Sequence, residues 1–284
     1  MKFYMMTDLE GVAGVYQWES GSTDTSLENH ERRCRQRIWL AEEVSAAVDG
    51  LYAGGATEVL VNDGHGAGYT IDLDHLDPRA VIIHGQQRPF WLPFLDETCA
   101  ATGLVGAHAK AGTEGANLYH TMSLDIRDWQ FNGISLGEMG LQAAIAGHYG
   151  VPFALCTGDA HACKQAEDLI PGVVTAPVKY GTSRLSALSC SREEACNRIR
   201  AAAEQAMSVI DDIEPFKLQS PVHFRDERVE PTFDEEDPGE FTVLDAHTRE
   251  MEADDIIDLM YKIYSYPRDW RPLNFQPAWL RQDP

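Results

Sequence analysis

The sequence predicts an α/β fold: a mainly parallel sheet covered by helices, with a smaller α+β C-terminal subdomain. Three observations carry this. Short apolar runs alternate with stretches of helical period along residues 1–211, the βαβα rhythm of a parallel sheet. Several of the runs end in Gly and polar residues, and strand ends of open α/β sheets are where ligands bind. Past residue 212 the rhythm lapses into acidic and Pro-punctuated segments. Residues 1–211 therefore read as an α/β core that carries the site, and 212–284 as a smaller α+β portion with an irregular tail.

Lys2–Met6 is a short buried strand that runs into Thr7-Asp8-Leu9-Glu10-Gly11. Residues 12–30, rich in Ser, Thr and Gly, are a loop. A helix follows over about 31–53, where Ile38, Ala41, Val44, Ala47, Val48 and Leu51 fall at helical spacing, and Gly54-Gly55 stops it. Thr57–Val61 is a second strand and enters Asn62-Asp63-Gly64-His65-Gly66. Ala80–Ile83 is a third. Leu104-Val105 with its small neighbours is a fourth, ending at Gly106-Ala107-His108-Ala109. Trp129–Ser135 reads as one strand before a helix over about 136–149 that contains Glu138. Val151–Cys156 leads to Thr157-Gly158-Asp159 and a helix to about Leu169. Val173–Val178 closes the layer, and 191–210 is an Ala-rich helix. Farther on, Asp234–Glu240 is a solvated acidic loop, with a strand near 241–245 and a helix near 253–265. The tail with Trp270, Pro272, Pro277 and Trp279 is irregular, its aromatics packing on a neighbouring surface.

Lys and Arg number 23 against 45 Asp and Glu, a formal charge of −22. No basic cluster overrides that balance, so nucleic acid is not an expected partner. Six cysteines (Cys34, Cys99, Cys156, Cys163, Cys190 and Cys196) form no C-x-x-C pair and read as reduced thiols. No run approaches the roughly 18 apolar residues of a membrane span. Asp8 interrupts the N-terminal apolar stretch too early for a signal peptide. A cytoplasmic location without membrane attachment is the expectation.

Asp8 and Glu10 are poorly explained by folding, because burying carboxylates costs several kcal/mol unless they are paired or hold a metal. Two further strand ends supply His65, with Asp63, and His108, and a helix start supplies Glu138. In a parallel sheet these ends lie along one edge, where distant residues can converge. Oxygen and imidazole donors without thiolate suit zinc, manganese or cobalt. Five side chains exceed the three plus water of one catalytic zinc. Shared by a bridging carboxylate they suffice for two ions about 3.5–4 Å apart. Each residue also has an ordinary reading. Asp63, between Asn62 and Gly64, suits a turn former. A single His after a strand is commonly a satisfied or surface side chain, and Glu138 complements the positive end of its helix. Only their coincidence at strand ends points to a metal centre.

The stretch from Lys2 through Tyr4-Met5 to Asp8-x-Glu10-Gly11, the Val61-Asn62-Asp63-x-His65 block and Gly106-x-His108-Ala109 resemble the zinc-dependent D-aminopeptidase family. So do His120-x-Met122-Ser123, Asn132-Gly133, Gly137-Glu138-Met139-Gly140, Gly158-Asp159, Pro177-Val178-Lys179 and Ser183-Arg184, in the family's order to about residue 190. The resemblance implies that Asp8, Glu10, His65, His108 and Glu138 hold two divalent ions, zinc ahead of manganese or cobalt. It implies that His120 is the catalytic histidine beside them. It also implies a subunit of two subdomains in a ring-shaped homo-oligomer, a homodecamer, with active sites facing an inner chamber. Residues 16–30 look expanded relative to the family pattern, and the region after about 210 matches weakly.

The expected activity is removal of the N-terminal residue, D-residues included, from short peptides. Metal-activated water attacks the carbonyl, and His120 stabilises the oxyanion or protonates the leaving amine. Two alternatives stand beside it. One is a dinuclear hydrolase of another amide, such as a cell-wall peptide fragment. The other is an inactive peptide-binding protein, against which the intact ligand set argues. Lys179 or Arg184 is the candidate contact for a substrate carboxylate or backbone, a surface ion pair being the ordinary alternative. Asp159 and His161 read as supporting loop residues, His148 as complementing a helix dipole, and His30 as exposed.

Overall fold

The computed structural model describes residues 1–19, 25–236 and 238–268; Trp270, Pro272, Pro277 and Trp279 lie outside the described residues. In chain order the elements begin with β1 (Lys2–Thr7), α1 (Leu27–Ala53), β2 (Glu58–Asp63), β3 (Ala80–Ile83) and β4 (Ala101–Ala107). Then come β5 (Ile126–Phe131), β6 (Ile134–Ser135), α2 (Glu138–His148), β7 (Phe153–Asp159), α3 (Ala160–Leu169), β8 (Val174–Ser183) and β9 (Ser186–Ser189). The chain continues through α4 (Arg192–Val209), β10 (Val222–Arg228), β11 (Thr242–Asp245), β12 (Thr248–Ala253) and α5 (Ile256–Tyr264).

β1 is apolar on both faces, and from Phe3 to Thr7 every residue is buried. β4 and β7 are buried throughout, as helix-covered parallel strands are. They form one seven-stranded sheet in the order β3-β2-β1-β4-β7-β8-β9, parallel except for the terminal β8–β9 hairpin. Among the helices, α1 packs against α4, and α2 against both α3 and α5. From β1 the chain builds outward through β2 and β3, then returns to add β4 on the other side. The boundary between β1 and β4 is thus the switch point, the crevice where open α/β sheets place ligands.

A second sheet, β11-β12-β10-β5-β6, is antiparallel and draws strands from both sides of residue 211. Its inner face packs Trp129, Phe131 and Phe224. Asp226, fully buried, accepts from Trp129 Nε1 (2.8 Å) and pairs with Arg228 and Arg249 (2.7 and 3.0 Å). The chain leaves β6 almost directly into α2, so this sheet sets where Glu138 stands.

Several elements depart from expectation. The single strand 129–135 is a hairpin folded at Asn132 (φ 51°) and Gly133 (φ 78°), outside the main sheet. The Asn-Gly pair, a strong signal for a two-residue hairpin turn, marked it in the sequence. α1 starts four residues early because Ser26 caps it, accepting from Asn29 N at 3.2 Å. β9, β10 and β12 were not foreseen. β10 alternates charged residues with Val222, Phe224 and Asp226, and the inward acid hides its period from hydropathy. β12 occupies the start of the supposed helix at 253, which begins only after Asp255 caps Ile257 and Asp258.

Candidate metal centre

The loops leaving β1 and β4 are joined backbone to backbone. Asp8 N donates to Val105 O and Gly11 N to Gly106 O, both at 2.8 Å. Gly106 has φ +81°, and a Cβ there would fall 2.0 Å from Asp8 O; one on Gly11 would fall 2.1 Å from Ala107 O. Only glycine permits this approach, which brings the donors of two strand ends together.

Asp8 lies at the centre. Its Oδ1 is 3.0 Å from His65 Nδ1 and its Oδ2 is 3.0 Å from His108 Nε2. Glu10 Oε2 is 2.9 Å from His65 Nδ1, and Glu138 Oε1 is 3.2 Å from His108 Nε2. All five residues expected as ligands therefore meet, each carboxylate against an imidazole nitrogen. His120 joins from the loop after β4, its ring stacked on His108 at 3.9 Å and 11°, its Nε2 3.8 Å from Glu138 Oε1.

Two buried atoms here make no hydrogen bond, Glu10 Oε2 and His108 Nε2, although each lies near an opposite group. Close approach without hydrogen-bonding geometry is what donors aimed at a shared cation show. His108 Nδ1 lies 2.9 Å from Ala109 O, a carbonyl that can only accept. That nitrogen thus carries the hydrogen, and Nε2 is left as a lone-pair donor. The donor groups of Asp8, Glu10 and His108 lie within 4.8 Å of one another, as do those of His108, His120 and Glu138. An oxygen and imidazole set of this kind fits zinc.

The electrostatics agree. Burial opposes charge on Asp8, yet His108 and then His65 hold its carboxyl well below the usual range. Burial likewise disfavours imidazolium at His65 and His108. Glu10, Asp8 and Glu19 at the first, and Asp8 and Glu138 at the second, outweigh it and raise both well above the ordinary value. The cluster's field favours a cation, whether proton or metal.

Other sequence candidates fall outside the cluster. Asp63 accepts from Thr70 N, Thr70 Oγ1 and Ile71 N and shapes its own loop. Asp159 caps α3, accepting from His161 N (2.8 Å) and Gly181 N (3.1 Å). Arg184 lies over the Tyr119 and Trp18 rings. Lys179 differs most from expectation. It is 2% exposed, and its ammonium donates to Glu10 O, Val15 O (2.7 Å) and Asn117 Oδ1 (2.8 Å). With all three donors taken, none is left for a substrate; Lys179 instead anchors the loop that carries Glu10. Burial draws its amine down to about 8, still mostly charged at neutral pH. Lys179→Met leaves three acceptors without their charged donor, so it should destabilise the fold by about 3–5 kcal/mol. Urea unfolding checks this; unchanged stability would remove the anchoring role.

Sequence reading missed Glu19 and Arg88. Glu19 stands 3.8 Å from His65 Nε2 and pairs with Arg33 at 3.3 Å. Its carboxyl is held low chiefly by His65. The segment before α1 thus reaches the site through Glu19 and through Trp18, which lies edge-on to His120. No local pattern announced it. Beside the cluster opens a pocket of about 600 Å³, lined by Asp8, His65, His120 and Glu138 on one side. Arg88, Phe90, Trp91, Met122 and Tyr266 line it too.

A carboxylate and imidazole cluster at the switch point of an α/β sheet, open to a pocket, defines a hydrolase of the metallopeptidase class. The chain belongs to the D-aminopeptidase family, whose sequence profile matches residues 1–256. It is 38% identical over 191 residues to the D-aminopeptidase of Bacillus subtilis (strain 168), 67% of each chain. Its fold matches a solved structure described as the Zn-dependent D-aminopeptidase DppA from Bacillus subtilis, a self-compartmentalizing protease. That match has a TM-score of 0.84 at 28% identity, covering 94% of this chain and 96% of the other.

Proposed function

We propose that this chain is a zinc aminopeptidase that releases the N-terminal residue, D-residues included, from short peptides. The observation that carries the reading is Asp8, whose two oxygens each face a different histidine. A carboxylate so placed could serve both halves of the donor set. In this reading Asp8, Glu10, His65, His108 and Glu138 would hold two zinc ions per chain. Such a pair, when bound, supplies an acidified water and polarises a carbonyl.

The chain's own residues do the rest. Glu19 faces Nε2 of His65 and orients that ring, as outer carboxylates do for ligating histidines. Glu138 accepts from Met122 N at 2.8 Å, which ties the His120 loop to the ligands. His120 Nδ1 donates to Leu118 O at 3.0 Å, so its Nε2 is free to accept or return a proton in the pocket. Leu118 and Met122, two residues to either side, both take left-handed backbone (φ 51° and 60°). Such strain is tolerated where a loop is held for function. Phe90, Trp91 and Met122 offer an apolar wall to a substrate side chain. The ring-shaped homo-oligomer also belongs to this proposal, supported by the self-compartmentalizing description of the structural neighbour.

The test is metal content of the purified protein together with hydrolysis of D-Ala and L-Ala p-nitroanilides, before and after chelation and zinc add-back. The expected outcome is about two ions per chain. Chelation should abolish cleavage, zinc should restore it, and the D-substrate should be preferred. Neither metal nor cleavage after add-back would overturn the reading.

A further inference from the structure

The pocket beside the carboxylates is also lined by a cation that the peptidase reading leaves without a role. Arg88 is the single Lys or Arg among the described residues that line this pocket. It is half-buried, and its Nε donates to Gly85 O (3.1 Å), Nη2 to Asp63 O (2.8 Å) and Nη1 to Asn62 Oδ1. All three acceptors are neutral. Arg79, Arg192, Arg200, Arg225, Arg228 and Arg249, by contrast, each pair with a carboxylate. Among the described residues no carboxylate pairs with Arg88, in a chain where acids outnumber bases 45 to 23.

A guanidinium has five N–H groups, and three are used here. The remaining two lie one on each terminal nitrogen, and guanidinium N–H groups bind carboxylate oxygens strongly. The acceptors that fix it are the end of β2 and the turn after β3, so the guanidinium is held in place rather than recruited. A volume of about 600 Å³ sits within the range of about 300–1,000 Å³ usual for small-ligand pockets.

We propose that Arg88 binds the C-terminal carboxylate of the substrate and so favours short peptides with a free C-terminus over blocked ones. This rests on the aminopeptidase reading. The substrate lies with its N-terminal residue at the metal cluster and its free carboxylate on Arg88. The ordinary alternative is that Arg88 only steadies Asn62 and Asp63, two residues before His65.

The test compares D-Ala-Gly, its C-terminal amide and D-Ala p-nitroanilide on the wild type, Arg88→Met and Arg88→Lys, with zinc content and thermal unfolding as controls. The wild type should cleave the free acid at least about tenfold more efficiently than the amide, the worth of one charge-assisted bond. Arg88→Met should raise KM for the free acid about 10–100-fold and leave the amide and anilide within about twofold. Arg88→Lys should recover part of the loss. An equal fall on all three substrates would make Arg88 a positioning residue and overturn the proposal. Should Arg88→Met fail to fold, the wild-type comparison still decides, since equal efficiency on acid and amide overturns the proposal too. A wild type that holds zinc but cleaves none of the three would instead sink the peptidase reading itself.

Discussion

Replacing Asp8 with Asn is expected to leave no more than one ion per chain and to lower kcat/KM on the order of a thousandfold. Asp8 serves both halves of the cluster at once, Oδ1 toward His65 and Oδ2 toward His108. Asn keeps the size but loses the charge, and it offers one acceptor oxygen where the site uses two. Several kcal/mol of transition-state stabilisation depend on the ions, and each 1.36 kcal/mol is a factor of ten. The fold should survive, because β1 is fixed by neighbours on both sides and by the Asp8 N to Val105 O bond, none of which needs the carboxylate. Metal analysis, circular dichroism and kinetics on one preparation check this. Two retained ions with wild-type turnover would show that the carboxylate is not shared.

His120→Ala carries the second-largest expected effect and separates chemistry from metal binding. Turnover should fall about 10²–10⁴-fold, the range for a lost general acid or base, while metal content stays unchanged. The geometry makes this a sharp test. The ring is fixed by Leu118 O, the stack on His108 and the edge of Trp18, so its Nε2 has one direction. That direction also brings it 3.8 Å from Glu138 Oε1, within a group of donors able to hold an ion. If one ion is lost with the ring, His120 is a ligand, and proton transfer must be sought elsewhere.

Much of the main layer was legible from sequence. β1, β2, β3, β4, β7 and β8 lie where apolar runs occur, and α3 and α4 within a few residues of expectation. Buried parallel strands are apolar on both faces, so hydropathy finds them without help from period. The second sheet was mostly missed for the opposite reason. Its strands carry charged residues on one face and, at Asp226, on the inner face as well. An acid there is tolerated only because Trp129, Arg228 and Arg249 meet it, and these come from three different strands.

Sequence by itself determined which residues are chemically able to form the centre. A parallel sheet puts the ends of its strands on one edge, so the sequence alone gathers Asp8, Glu10, His65 and His108. Tertiary structure alone decided how they are arranged. Asp8 became the centre because glycines at 11 and 106 let two backbones touch. Glu138 arrived not from the main sheet but from a hairpin that delivers α2 to the edge. Lys179 turned from a candidate substrate contact into an internal anchor, because Glu10 O, Val15 O and Asn117 consume its donors. Arg88 gained its place because the acceptors around it are neutral. The role of a charged side chain is set by the partners that surround it, and those partners come from segments far away in the chain, beyond the reach of local pattern.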